Sequence, residues 1–121
     1  MAQVLVVDRT PSVQDALAFV LELDGHDVVL AGDGRRALEH VADSPPDLVL
    51  VDPHLPDMRL PTLCNELRRA DPSLPVIVMS MHSVDRSATE TCRPVAFLAK
   101  PFSACDLLAT VAAHGPTPPV P

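Results

Sequence analysis

Five short apolar runs decide what this chain can fold into. They are Val4–Val7, Val28–Ala31, Leu48–Val51, Val76–Met79 and Val95–Ala99, rich in Val, Leu and Ile. None alternates with polar residues, so none suits a strand with one wet face. Unbroken apolar runs of this length mark strands covered on both faces, as in a parallel sheet. Between them, apolar residues recur at helical spacing. Val13, Ala16, Leu17, Val20 and Leu21 form one stripe, with Thr10 as N-cap and Pro11 at the first helical position. Ala37, Leu38, Val41 and Ala42 form a shorter stripe after Asp33. Leu60, Leu63, Cys64 and Leu67 form a third, with Pro61 near its start. Val84–Cys92 is the weakest, with only Val84, Ala88 and Cys92 spaced for a face. Ala104, Leu107, Leu108, Val111 and Ala112 form the last, capped by Ser103. The order is βα five times over, which predicts an α/β fold: a doubly wound, (βα)5, five-stranded parallel sheet with helices on both sides.

Composition narrows the function. A chain of 121 residues, 47% apolar, makes one domain with a real core, expected over residues 1–114. The remainder, 115–121, is Pro-rich and reads as a tail or the start of a linker. Formal net charge is −7 without a Lys/Arg-rich run, so direct nucleic-acid binding is not expected. No apolar run approaches the ~20 residues of a membrane span. Cys64, Cys92 and Cys105 show no CxxC or zinc spacing. Their odd number and the lack of a leader pattern predict reduced thiols in a cytoplasmic protein. Cys64 and Cys92 read as packing residues and Cys105 as exposed and inert.

In an open α/β sheet the site lies at the carboxyl ends of the strands. Asp8 and then Arg9 follow the first run, Asp52 the third, Ser80 the fourth, and Lys100 with Pro101 the fifth. Each type alone is common at a strand end, but together they suit phosphoryl chemistry. A carboxylate can attack phosphorus to give an acyl phosphate. Carboxylates also hold Mg²⁺, and a lysine and a hydroxyl can bind phosphoryl oxygens.

VLVVD, LVLVDPHLPDM, PVIVMS and FLAKPF, in register with five βα units, resemble the response-regulator receiver domain over residues 3–113. The resemblance implies a flavodoxin-like sheet in strand order 2-1-3-4-5 and a role in bacterial two-component signalling. Asp52 would be the phosphoacceptor for a histidine kinase or phosphotransfer protein. Mg²⁺ would be held by Asp8, Asp52 and the backbone carbonyl of His54. Lys100 would pair with Asp52 and then with its phosphate, and the Lys100–Pro101 peptide bond would be cis. Ser80 would be the switch hydroxyl and Phe97 the aromatic that moves with it, although Phe97 also reads as plain core. The face formed by the predicted fourth helix, fifth strand and fifth helix would then meet a downstream output domain or protein, or a second receiver in a homodimer. No enzymatic turnover is implied beyond self-phosphotransfer and autodephosphorylation.

Three positions depart from the family pattern. Arg9 stands where a second metal-binding acid is usual. Either it swings to solvent and leaves a weakened Mg²⁺ site, or its guanidinium pairs with Asp8 or Asp52 and replaces the cation. The second case would make a pseudo-receiver, an interaction module independent of phosphate. Leu60 stands where a glycine usually turns the chain into the third helix, and Thr91-Cys92-Arg93-Pro94 replaces a small Gly-rich turn. His54 and His82 lie two residues beyond Asp52 and Ser80. They read as a metal or proton-donor pair, or more simply as exposed loop residues. His26, His40 and His114 read as surface residues. A remote alternative, an aspartate-nucleophile phosphatase, needs an acid two residues after Asp52 and finds His54 there. It also needs space for a cap domain, which a chain of this length is not expected to have.

Overall fold

The apolar runs become strands at nearly their expected limits. In the computed structural model, which describes residues 2–80 and 92–115, they are β1 (Gln3–Val7), β2 (Asp27–Ala31), β3 (Leu48–Val51), β4 (Val76–Ser80) and β5 (Ala96–Ala99). All pair in parallel, in the order β2-β1-β3-β4-β5. The described helices are α1 (Pro11–Leu23), α2 (Gly34–Asp43), α3 (Leu60–Ala70) and α4 (Ala104–His114). Of the predicted helix Val84–Cys92 only Cys92 lies within the described residues. His82, the side chain of Ser80 and residues 116–121 lie outside them.

The lack of alternation in the strands is explained by two cores. Leu5, Val7, Val49, Val51, Val76 and Val78 point to the layer of α2 and α3. Val4, Val6, Leu48, Leu50, Ile77 and Met79 point to α1 and α4, against Leu17, Leu21, Leu107 and Val111. Successive side chains of a strand face opposite ways, so a strand covered on both sides must be apolar throughout.

Local signals set the helix ends. Pro11 opens α1, as expected, but the side chain of its N-cap Thr10 makes no capping hydrogen bond. Gly25, at φ 87°, ends α1 in a left-handed conformation that costs glycine little. Pro45 and Pro46 follow α2 and cannot extend it. Ser103 and Asp106 form a reciprocal capping box on α4, with the Asp106 N–H donating to Ser103 Oγ at 3.0 Å.

The turn before α3 is reshaped at Leu60. The helix starts at Leu60 itself, after Arg59 in extended conformation (φ −81°, ψ 151°), so no left-handed residue is needed there. Leu60 is buried and joins the core beside Leu63, Cys64 and Leu67. The other departure is solved by backbone strain. Arg93 takes φ 45°, the one positive φ at a non-glycine among the described residues. Such a conformation costs roughly 1–2 kcal/mol for a residue with a Cβ. The Arg68 side chain offsets it, donating to the carbonyls of Cys92, Arg93 and Leu74.

Two expectations need correction. Cys64 and Cys92 were expected as reduced packing thiols. They are buried as expected, but α3 and the turn before β5 bring their Cα atoms to 4.8 Å, and they form a disulfide. Cys105 is exposed and free. His26, expected at the surface, has a side chain only 12% exposed, and its Nδ1 accepts the Ala2 N–H at 3.2 Å.

Candidate functional site: a lysine between two aspartates

The sheet reverses its winding between β1 and β3, and the crevice beyond their carboxyl ends is the natural site of such a fold. Asp8 and Asp52 are the first residues past those strands. Sheet hydrogen bonding continues one step beyond each strand and fixes their backbones. The Asp8 N–H donates to Ala31 O at 3.1 Å and the Asp52 N–H to Val7 O at 2.9 Å. Both carboxylates therefore rise from the same rim, on neighbouring strands.

Lys100, the first residue past β5, joins them. Its Nζ donates to Asp52 Oδ2 at 2.7 Å and to Asp8 Oδ2 at 2.9 Å. The side chains of Lys100, Asp52 and Asp8 are 15%, 13% and 2% exposed, so water screens the pairs only in part. Desolvation by burial works against the charged lysine. The hydrogen bonds and negative charge of Asp52 and Asp8 outweigh it and hold the Lys100 ammonium above the ordinary lysine range. The Lys100–Pro101 peptide bond is cis, as the resemblance implies.

The remaining oxygens are also addressed. Asp8 Oδ1 accepts the Thr10 N–H at 2.9 Å, and Asp52 Oδ1 accepts the His54 N–H at 2.7 Å. Asp8 is the single buried charged residue among those described, and none of its acceptors is left without a donor. Its backbone carbonyl takes the Gln14 Nε2–H at 2.5 Å from the first turn of α1. Gln14 thus ties the helix to the loop that carries Asp8, a contact that sequence reasoning missed.

Arg9 is exposed and makes no ion pair among the described residues. The cation between the two carboxylates is Lys100. Of the two arrangements open from the sequence, the side chain turned to solvent is the one observed.

The loop after Asp52 is docked onto α2. Asp57 Oδ1 accepts the Gly34 N–H and Oδ2 the Arg35 N–H, both at 2.9 Å, while Asp33 accepts the Arg36 N–H at 2.8 Å. Two carboxylates so satisfy the free donors of the first turn of α2. The Gly34 N–H, more than any other group, holds the Asp57 carboxyl below its ordinary range. Met58 packs over Gly34 so closely that a Cβ there would meet its sulfur at 2.5 Å. Sequence reasoning assigned nothing to Asp57. An acid preceding a helix is a common signal, but here the helix it serves is not the one that follows it.

Among the other expected residues, the Ser80 backbone ends β4 and pairs with Ala99. His54 is exposed. Phe97 lies on edge strand β5 and is 45% exposed, which corrects its reading as plain core.

The donor set suits a hard divalent cation. Two carboxylates meet at one point, and each oxygen has a second lone pair beyond the hydrogen bond it accepts. Mg²⁺ is commonly held by one or two carboxylates with water and phosphate oxygens supplying the rest. No group of three or more His, Cys, Asp or Glu side chains gathers among the described residues, so the protein's side-chain share would be small.

Comparison with known proteins gives a consistent picture. The family model described as the response regulator receiver domain matches residues 4–112. The sensory transduction protein RegX3 of Mycolicibacterium smegmatis is 35% identical over 115 residues, 93% of this chain and 50% of that protein. The DNA-binding response regulator MtrA of the same organism is 36% identical over 114 residues, again 93% and 50%. The chain thus spans about half the length of these relatives. Among solved structures, the chemotaxis protein CheY4 of Vibrio cholerae superposes with a TM-score of 0.88, covering 94% of this chain and 98% of that one. At 24% identity it speaks for the fold alone. NtrX from Brucella abortus gives a TM-score of 0.85 at 31% identity, over 93% of this chain and 26% of that one. The expectation of no nucleic-acid role gains no support here, since one of these relatives is named as DNA-binding. No described helix is long and apolar enough to cross a membrane.

Proposed function

Because the chain belongs to the response regulator receiver domain family, we propose that it is a working phosphoacceptor in a two-component pathway, with Asp52 as the residue that takes the phosphoryl group. The observation that carries this reading is the Lys100 ammonium bridging Asp8 and Asp52 at the mouth of the sheet. An oxygen of the Asp52 carboxylate attacks phosphorus as the bond from phosphorus to the donor's histidine nitrogen breaks, and the imidazole leaves with a proton. The product is an acyl phosphate. Lys100, already charged and oriented, then finds phosphoryl oxygens where it held a carboxylate oxygen. Asp8 keeps the lysine in place during the exchange. Mg²⁺, held by Asp8, Asp52 and the His54 carbonyl, would supply charge neutralisation at the transferring oxygens. Arg9, turned to solvent, contributes no ligand, so the metal is held more weakly than by two adjacent acids.

Ser80 ends β4 next to Ala99 of β5, so its hydroxyl is the group we assign to bind the incoming phosphate. Movement there would pass to Phe97 on β5 and alter the face shared with α4, where a downstream domain or a second copy would dock. The relatives are about twice as long as this chain, which leaves room in them for such an output region. Domain limits of 1–114, with 115–121 as linker, and a cytoplasmic location fit the same proposal.

A second reading rests on the completeness of the Asp8–Lys100–Asp52 group. All four carboxylate oxygens accept from a protein donor. Such a site could serve a phosphate-independent interaction module. Intact mass after incubation with acetyl phosphate separates the two. We expect one phosphoryl group added to wild type in the presence of Mg²⁺, and none to Asp52→Asn. No addition to folded wild type would select the second reading.

A further inference from the structure

One face of α3 holds the turn that leads into β5, and it does so twice. Cys64 is bonded to Cys92, 28 residues away, and Arg68, one helical turn beyond Cys64, grips the carbonyls of Cys92 and Arg93. The turn is strained at Arg93, and the next residues launch the edge strand, beginning with the Val95 N–H on Val76 O at 2.9 Å. Both sulfurs are buried, at 1% and 0% residue exposure, whereas Cys105 is exposed and unpaired. Beside the bond, the Arg68 contacts hold the same turn against α3.

We propose that Cys64 and Cys92 are a reversible redox pair, a modification site that locks or releases the start of β5. The oxidant is a low-molecular-weight disulfide. One cysteine thiolate attacks it, forming a mixed disulfide and expelling one small thiol. The second cysteine then attacks the protein sulfur of that mixed disulfide and expels the other small thiol. Two cysteine thiols lose two protons and two electrons, and one small disulfide becomes two thiols. Reduction by a dithiol runs the same exchange backwards. Because neither sulfur is exposed, both directions pass through opening of the 92–94 turn, so exchange is slow compared with reaction at Cys105. The proposal does not depend on phosphorylation at Asp52.

The test uses the full chain with Cys105→Ala, so that only the pair can react. The protein is equilibrated in glutathione buffers from fully reduced to fully oxidised, then denatured and alkylated, and the number of labelled thiols is read by mass. Amide hydrogen exchange is followed in parallel. The expected result is a reversible passage between two labelled thiols and none. Protection of residues 95–98 should fall by about tenfold or more on reduction, while β1 and β3 change little. A second protein, Cys64→Ala with Cys92→Ala, should show the reduced exchange pattern in every buffer. Two labelled thiols throughout, a mixture with glutathione adducts in place of the internal bond, or equal protection of 95–98 in both states would each overturn the proposal.

Discussion

Replacing Lys100 by methionine removes the ammonium and keeps most of the apolar stem. Asp8 and Asp52 are then left facing each other, at 2% and 13% side-chain exposure, with the shared cation gone. Removing one partner of a buried pair typically costs about 3–5 kcal/mol. The rim is partly wet, so the low end applies, and we expect a loss of about 3 kcal/mol. That is a large share of the roughly 5–15 kcal/mol that holds a domain together. For urea unfolding with a slope of about 1.5 kcal/mol/M, the midpoint falls by about 2 M. The chain has no Trp or Tyr, so far-UV circular dichroism is the appropriate signal. The pH dependence gives an independent check. The folded protein holds Lys100 above its unfolded value of about 10.4, so its contribution is complete below that pH and is lost as pH rises through the folded value. The gap between wild type and Lys100→Met should therefore be flat from about pH 7 to 10 and narrow above. A loss below about 1 kcal/mol at pH 7, or a gap that ignores pH, would refute the account of Lys100 as the charge that holds this rim together.

Other expectations follow from neighbouring contacts. Arg9→Asp adds an acid beside Asp8, so Mg²⁺ binding by titration calorimetry should tighten by about tenfold; unchanged affinity would remove Arg9 as the cause of a weak metal site. Asp57→Ala strips two N–H groups of α2 of their acceptor and should cost about 0.5–1 kcal/mol in urea unfolding. The folded protein depresses the Asp57 carboxyl, so its benefit is present above the unfolded value of about 3.9 and disappears as pH falls through the folded value. An equal Asp57→Ala effect at pH 7 and pH 2 would count against this. Arg68→Ala frees the Cys92, Arg93 and Leu74 carbonyls and should cost about 2 kcal/mol. Much of that should return in Arg68→Ala with Arg93→Gly, where the left-handed turn no longer carries a Cβ.

The sequence was most legible where one periodicity or one position carried the information. Val4–Val7 and Leu48–Val51 could hardly be anything but central strands, and the residue after each had to lie at the rim. Asp, Asp, Ser and Lys at the ends of the first, third, fourth and fifth apolar runs then pointed to the site before any distance was known. What escaped depends on residues that only the fold brings together. Asp57 serves a helix that begins 23 positions earlier, and Cys64 meets Cys92 because α3 crosses the turn before β5. Leu60 was expected to trouble a turn that glycine usually makes. The chain instead starts the helix there and buries the side chain, an exchange of turn geometry for core packing that no single position announces.

On the proposed function Asp52, not another carboxylate of the rim, takes the phosphoryl group. The most direct measurement is to treat the protein with acetyl phosphate and Mg²⁺, reduce the acyl phosphate with borohydride, and map the resulting homoserine by peptide mass. Homoserine is expected at position 52, strongly diminished in Lys100→Met. Homoserine at position 8, or at neither position in the folded protein, would contradict it.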